Sequence, residues 1–198
     1  DAGMFKLEAA RVEPTDLFKA KALTIIAKRH SLTLKVVQPA VEDGVFVLAD
    51  VYRIEQVVRN LVTNACKFTP AGGTITIEGE VLLAAPAGPH GISSGRIFSG
   101  SSSSKSLEVG VPSFAALHAI QCGSLRVKVS DTGVGIEEHN KDKLFKQFQQ
   151  FDKNLLQSGG GSGLGLWISH FIVDRHGGKL QFESLGPGKG SVFFFDLP

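Results

Sequence analysis

The sequence predicts an α+β fold: a two-layer α/β sandwich in which a mixed sheet carries helices on one face. Three observations lead there. Segments with a helical apolar period are interspersed with segments of strand period. The strands follow one another mostly as meanders instead of alternating strictly with helices. The chain has 198 residues, 42% hydrophobic and 20% charged, which suits one domain able to bury a core.

The elements follow in order. Pro14 opens a helix to about His30, with Leu17, Phe18, Ala22, Ile25 and Ile26 on its buried side, because proline is pre-organised for a first helical turn. Leu32, Leu34 and Val36 alternate as a strand, and Val45–Leu48 reads as a second. Asp50 caps a helix through about Lys67. Thr74–Glu80 alternates with Ile75 and Ile77 inward, and Leu125, Val127 and Val129 form a strand ending at Asp131. Short helical pieces are expected over 137–151, then a helix from about Leu164 to His176 that stops at Gly177-Gly178. Gly178–Ser184 and Ser191–Leu197 read as a hairpin across Gly186-Pro187-Gly188-Lys189-Gly190.

Between the two halves, residues 82–123 are rich in Ser, Gly, Pro and Ala, including Ser101-Ser102-Ser103-Ser104. A stretch of that length inside a compact domain reads as an insertion between two paired strands. Its plain reading is a surface excursion; its functional reading is partner binding through the apolar patch Val111–Leu117. Lengthening a loop costs little, about 0.6 kcal/mol per doubling.

Composition excludes several classes. Lys and Arg number 21 against 19 Asp and Glu, a net charge of +2, too small for a nucleic-acid reader working by bulk electrostatics. Cys66 and Cys122 lack metal-site or disulfide-framework spacing, and free thiols are compatible with a reducing compartment. The longest stretch without Asp, Glu, Lys or Arg, Asn154 to Val173, holds five glycines and is no membrane span. The first residue is Asp1 and not Met, which reads as a fragment of a longer protein.

Four segments carry candidate chemistry. On the helix 51–67, Ile54, Val57, Val58, Leu61 and Ala65 form an apolar stripe, with Arg53, Gln56, Asn60, Asn64 and Lys67 on its edge. That edge is either a polar shoulder or a metal–phosphate site, since an Asn carbonyl suits Mg²⁺ and Lys offers a point charge for phosphate. Asp131-Thr132-Gly133-Val134-Gly135-Ile136 follows a strand directly. It is either an Asx-turn or a purine site, because a carboxylate accepts from the adenine amine and is repelled by the guanine carbonyl. Glycines there let the backbone approach a base closely.

The run Gly159-Gly160-Gly161-Ser162-Gly163-Leu164-Gly165-Leu166 matches neither the P-loop nor the Rossmann spacing. It is a flexible linker or, because it feeds a helix N-terminus, an anion site built from free backbone N–H groups. In Leu144-Phe145-Lys146-Gln147-Phe148-Gln149-Gln150-Phe151, the Phe spacing of three fits a core face. The functional reading is an anchor for the near end of a mobile loop, 152–160, that closes over a nucleotide; a core face is the commoner role of such spacing.

The order of these segments resembles the ATP-binding catalytic domain of sensor histidine kinases, in the wider GHKL family of gyrase, MutL and heat-shock chaperone ATPases with its Bergerat fold. Arg53–Pro70 is similar to the N box, Asp131–Ile136 to the G1 box, Leu144–Phe151 to the F box and Gly161–Leu166 to the G2 box. The likeness covers nearly all of the chain outside 82–123. It implies residues 14–198 as the ATP-binding domain, and 1–13 as the end of a preceding dimerisation and phosphoacceptor helix with its linker.

The resemblance implies roles by position. Asn64 would coordinate Mg²⁺, with Asn60 beside it at the phosphates and Lys67 at a terminal phosphate, Asn60 and Lys67 being the catalytic candidates. Phe68 would pack near base or ribose, Asp131 would take the adenine amine, and Gly133, Gly135 and Ile136 would shape that pocket. Gly161, Gly163 and Gly165 would bring main-chain N–H groups to the phosphates, with Phe148, Ser162, Leu164 and Leu166 also at the nucleotide, under a lid at about 152–160 that includes Lys153. Trp167 is bulkier than the family's usual residue there.

The implied partners are ATP, Mg²⁺, a dimerisation domain bearing the acceptor His, and a response-regulator receiver domain, with no nucleic acid and no direct membrane contact. The implied location is the cytoplasm, any membrane anchor belonging to the parent protein. In hydrolytic relatives the position four before the metal-binding Asn is a Glu that serves as base for water. Here it is Asn60, which cannot take a proton, and Glu55 lies on another face of the helix. That favours phosphoryl transfer over a hydrolytic GHKL ATPase. The four intact motifs stand against a non-catalytic scaffold, and the N box ending Lys67-Phe68-Thr69-Pro70 resembles a two-component enzyme more than a mitochondrial-type protein kinase of the same fold.

His30, His90, His118, His139, His170 and His176 sit in no phosphoacceptor motif. Incubated with labelled ATP, this chain is therefore expected to form no acid-labile phosphohistidine.

Overall fold

The computed structural model describes residues 6–41, 44–83, 123–141, 144 and 164–198. A short strand, β1 (Ala10–Val12), leads into a 3-10 turn (Pro14–Phe18) and α1 (Lys21–Arg29). Then come β2 (Thr33–Val37), β3 (Val47–Ala49), α2 (Val51–Phe68), β4 (Thr74–Leu83) and β5 (Gly123–Asp131). After α3 (Glu138–Lys141) and α4 (Gly165–Arg175), β6 (Lys179–Glu183) and β7 (Ser191–Leu197) close the chain.

The main sheet runs β2-β4-β5-β7-β6, with β2 and β4 parallel and the other neighbours antiparallel. It is thus the mixed sheet the sequence predicts. A two-stranded ribbon joins β1 to β3. Strand alternation splits the sheet's faces. Ile75, Ile77, Leu125, Val127, Val129, Leu180, Phe195 and Leu197 are buried on the inner one. Outer positions carry Arg126 and Asp196, paired through two contacts of 2.7 and 2.9 Å, and Lys128 with Glu80 at 3.0 Å.

α1, α2 and α4 contribute Ala27, Ile54, Val57, Val58, Leu61, Val62, Ala65, Ile172 and Val173 to the same core. Gly79 stands on the inner face beneath Phe18: a Cβ there would run into the Phe18 ring. Cys66 is buried in this layer, and burial pushes its thiol pKa up, which makes it an inert core residue.

The first helical region departs from expectation. The 3-10 turn ends at Phe18 and α1 starts afresh at Lys21, so the helical phase is not continuous from Pro14. Leu17 and Phe18 are buried as predicted, but Ala22 and Ile25 are exposed, Ile25 at 58%. β1 was not foreseen. Leu82, Leu83 and Gly123, expected within the insertion, belong to the paired strands β4 and β5; residues 84–122 and most of the helical pieces expected over 137–151 lie outside the described residues. The strands flanking the insertion pair to its edge, Leu83 opposite Gly123.

Two clasps set the position of α4 against α2. At one end, Asp50 caps α2 by accepting from Arg53 N–H at 3.2 Å, while its own N–H donates to Nε2 of the buried His176 at 3.0 Å. His176 Nδ1 lies 2.7 Å from Ile172 O, so Nδ1 carries the proton and the ring bridges the two helices. Glu8 N–H donates to the same Asp50 carboxylate at 3.1 Å, tying the incoming chain to this joint. At the other end, Asn60 reaches α4 directly, as detailed below.

Stability is expected to sit in the inner layer. Phe195→Ala, at a fully buried position, should cost about 3–5 kcal/mol by denaturant titration. Arg126→Ala breaks a half-exposed pair on the outer face and should cost about 1 kcal/mol or less.

Candidate functional site

The end of the segment Arg53–Pro70 and the loop Asp131–Ile136 meet at one end of the sheet, while Gly165 meets α2 farther back, at Asn60. Strand register places Ile75, Asp131 and Ser191 side by side on β4, β5 and β7, so Asp131 leaves the sheet where α2 also ends. The loop 131–136 is then held from two sides. On the α2 side, Val134 N–H donates to Phe68 O at 3.0 Å and Thr132 N–H to Thr74 O at 3.1 Å. Thr132 Oγ1 accepts from Thr74 N–H at 3.0 Å. On the other side, Gly190 N–H donates to Gly133 O at 3.1 Å and Gly188 N–H to Val134 O at 2.6 Å.

This packing is backbone against backbone. A Cβ at Gly133 would collide with Phe68 O, and one at Gly135 with Gly186 O. Gly135 also has φ +73°, in the left-handed region that favours glycine. Gly133 and Gly135 therefore shape the loop through contact with neighbouring backbone. Ile136 is fixed by its N–H, which donates to Ser184 Oγ at 3.0 Å.

Asp131 is half-buried, and its Oδ1 accepts from Gly133 N–H at 2.8 Å. Burial pushes its pKa above the ordinary 3.8, opposed by backbone hydrogen bonds from Gly133 and Ser191. Nearby, at the C-cap of α2, Thr69 is 6% exposed, and its Oγ1 is the one buried side-chain polar atom without a partner among the described residues. A half-buried carboxylate held by backbone N–H groups and a buried hydroxyl without a partner among the described residues thus lie in one neighbourhood.

The polar edge of α2 divides in two. Asn60 Nδ2 donates to Gly165 O and to Ser169 Oγ, both at 3.3 Å, so its amide is engaged by α4. Ser169 is completely buried. Asn64, one turn on, is half-buried with no partner among the described residues, and Lys67 is exposed and unpaired among them. Phe68 is 39% exposed, with its ring available beside the loop its carbonyl holds. Glu55 is exposed on another face of α2 and joins none of these groups.

Leu164, Gly165 and Leu166 begin α4, which has no side-chain cap. Trp167 stacks on Phe171 with centroids 6.0 Å apart, and Arg175 lies over Phe171 at 5.0 Å. Phe148, Lys153, Gly161, Ser162 and Gly163 lie outside the described residues. Among the described residues no cluster of three His, Cys, Asp or Glu could hold a metal, and no helix is long and apolar enough to cross a membrane. Ser184 and His176 are structural participants that the motif reading passed over, since a single Ser or His carries no periodic signal.

A sheet backed by helices, with a glycine-shaped loop around a half-buried carboxylate and an Asn-bearing helix beside it, defines a nucleotide-binding class of α/β sandwich. The family model for histidine kinase-, DNA gyrase B- and HSP90-like ATPases matches residues 49–198, and the chain belongs to that family. Within it, the likeness is to the ATP-binding catalytic domain of sensor histidine kinases. The sensor protein GacS of Pseudomonas syringae pv. syringae is 30% identical over 199 aligned positions, covering 100% of this chain and 18% of that protein. The signal transduction histidine-protein kinase BarA of Escherichia coli K12 is 31% identical over 152, covering 76% and 12%. The chain thus spans about a fifth or less of these curated relatives.

Solved structures agree on the fold. Full-length ShkA, in complex with AMPPNP, superposes with a TM-score of 0.64 at 22% identity, over 98% of this chain and 31% of that one. The nucleotide-free catalytic domain of the histidine kinase ThkA gives 0.61 at 24% identity, over 96% and 97%.

The electrostatics of Asp131 lead to a measurable result. A carboxyl with a raised folded pKa binds its proton more tightly in the native state, so its contribution favours folding at acidic pH and is lost as pH rises through that raised value. At neutral pH the ionised group is a penalty. Asp131→Asn is expected to leave the Tm at pH 7 unchanged or raised, as a thermal melt will show.

Proposed function

We propose that this chain binds Mg²⁺-ATP and presents the terminal phosphoryl group to a histidine on a separate dimerisation domain. The observation that carries the reading is the half-buried Asp131 carboxylate, held by backbone N–H groups and enclosed by a loop whose glycines admit no side chain. It accepts from the exocyclic amine of adenine and repels the carbonyl that guanine places there. The exposed Phe68 ring offers an apolar surface to base or ribose, and the Thr69 hydroxyl, which has no partner among the described residues, lies one residue away.

Phosphate-side roles fall to α2 and α4. Asn64, without a partner among the described residues, supplies a hard oxygen suited to Mg²⁺, which would neutralise charge on the phosphates, and Lys67 adds a positive charge. The uncapped start of α4 at Gly165 offers main-chain N–H groups to an anion, with Gly161, Ser162 and Gly163 preceding it. Phe148 and Lys153 complete the proposed surround.

Asn60 supports transfer over hydrolysis. It is a neutral amide committed to Gly165 and Ser169, so it takes no proton from water. Catalysis then rests on positioning and electrostatics, with the nucleophile supplied by another domain. A receiver domain would accept the phosphoryl group in turn, and the cytoplasm would be the site of action.

The test is a titration of the chain with a non-hydrolysable ATP analogue, with and without Mg²⁺, following Trp167 fluorescence and using GTP as control. Saturable binding is expected for the adenine nucleotide alone, tighter with Mg²⁺ and lost in Asp131→Asn. Calorimetry settles a silent signal. Absence of binding by both methods would remove the reading, and steady phosphate release from ATP would favour a hydrolase.

A further inference from the structure

Opposite α2, the loop 131–136 is held by the β6–β7 turn, residues 184–190, and the hydroxyl of Ser184 is the point where turn and loop join. Ser184 Oγ accepts from Ile136 N–H at 3.0 Å and from Gly186 N–H at 3.4 Å, and it donates to Gly190 O at 2.8 Å. A serine hydroxyl has one donor and two acceptor sites, so all of its capacity is used. Two of these bonds fix the ends of the turn and the third fixes the end of the loop that begins with Asp131.

The turn is itself pressed onto that loop. Gly190, at φ +69°, lies where a Cβ would collide with the Asp131 carbonyl, and Gly186 O fills the space beside Gly135. Gly188 and Gly190 donate to Val134 O and Gly133 O. The residue following Gly190, Ser191, pairs with Asp131 in the sheet, and its backbone N–H helps hold the carboxylate. Any slackening of the turn is therefore transmitted to the carboxylate at once.

Resting on the adenine reading above, we propose that Ser184 is a positioning residue for Asp131 and sets how strongly the site discriminates adenine from guanine. The argument is one of pre-organisation. A carboxylate fixed in place rewards the adenine amine and penalises the guanine carbonyl, whereas a loop free to shift lets the carboxylate retreat from the wrong base. Ser184 touches no ligand in this scheme and acts only through the loop. Affinity for adenine and rejection of guanine should fall together when it is lost.

The experiment measures binding of the ATP analogue and of the matching GTP analogue to the full chain and to Ser184→Ala and Ser184→Thr, with a thermal melt of each. Ser184→Ala is expected to weaken ATP-analogue binding by on the order of tenfold, to reduce the preference over the GTP analogue, and to regain both in Ser184→Thr. Amide exchange on the unaltered chain gives a second reading, with Ile136 N–H expected to be protected. A lowered Tm with the ATP-to-GTP preference intact would overturn the proposal and leave Ser184 a structural residue. Exchange of Ile136 at the rate of a free loop would overturn it too, even if Ser184→Ala fails to fold. Failure of the unaltered chain to prefer adenine would overturn this inference together with the function it rests on, which separates the two failures.

Discussion

Around residues 131–136, three separate parts of the chain meet main chain to main chain. The end of α2 offers the Phe68 carbonyl, β4 offers Thr74, and the β6–β7 turn offers Gly186 to Gly190. Contacts of this kind have no side chain to adjust, so errors in strand register or helix position cannot be absorbed locally. The pairing of Ile75, Asp131 and Ser191 across β4, β5 and β7 sets the register, and the buried stripe of α2 sets the helix. The inner core is in this sense the mounting for a loop of six residues.

α2 has to serve two ends with one sequence. Its apolar stripe is committed to the sheet, and the polar shoulder next to it carries Asn60, Asn64 and Lys67. The two asparagines stand one turn apart and do different work. Asn60 commits its amide to Gly165 and Ser169, holding the start of α4 against α2, whereas Asn64 has no partner among the described residues. His176 and Asp50 fasten the same two helices at their opposite ends. With these contacts α4 is held against α2, and the amide at position 60 is part of the frame.

Much of this was legible because periodicity reports burial. The α2 stripe, its Asp50 cap and the inward Ile75 and Ile77 follow from spacing alone. The loop at Asp131 was legible for a different reason, since closely spaced glycines after a strand signal close backbone approach. The break between Phe18 and Lys21 was hidden because neither Lys19 nor Ala20 is a capping or breaking residue, and apolar side chains continue on both sides of it. β1 is too short to show a period. Ser184, His176 and the parallel pairing of β2 with β4 depend on residues distant in sequence meeting in space, for which a single sequence carries no local sign.

The distribution of satisfied and unsatisfied polar groups separates frame from site. Asp50, Ser169 and His176 are buried and each meets a partner, and the Arg126–Asp196 pair is closed by two hydrogen bonds. Near the end of α2 the pattern reverses among the described residues. Thr69 has a buried hydroxyl with no partner, Asn64 an unpaired amide, and Asp131 a carboxylate that burial works against. Folding alone gives no reason to keep such groups together, because apolar replacements would cost less. Their concentration at the loop held by Phe68, Gly133 and Ser184 is what a site shaped for a polar ligand requires, and the fold bears that cost where the ligand would relieve it.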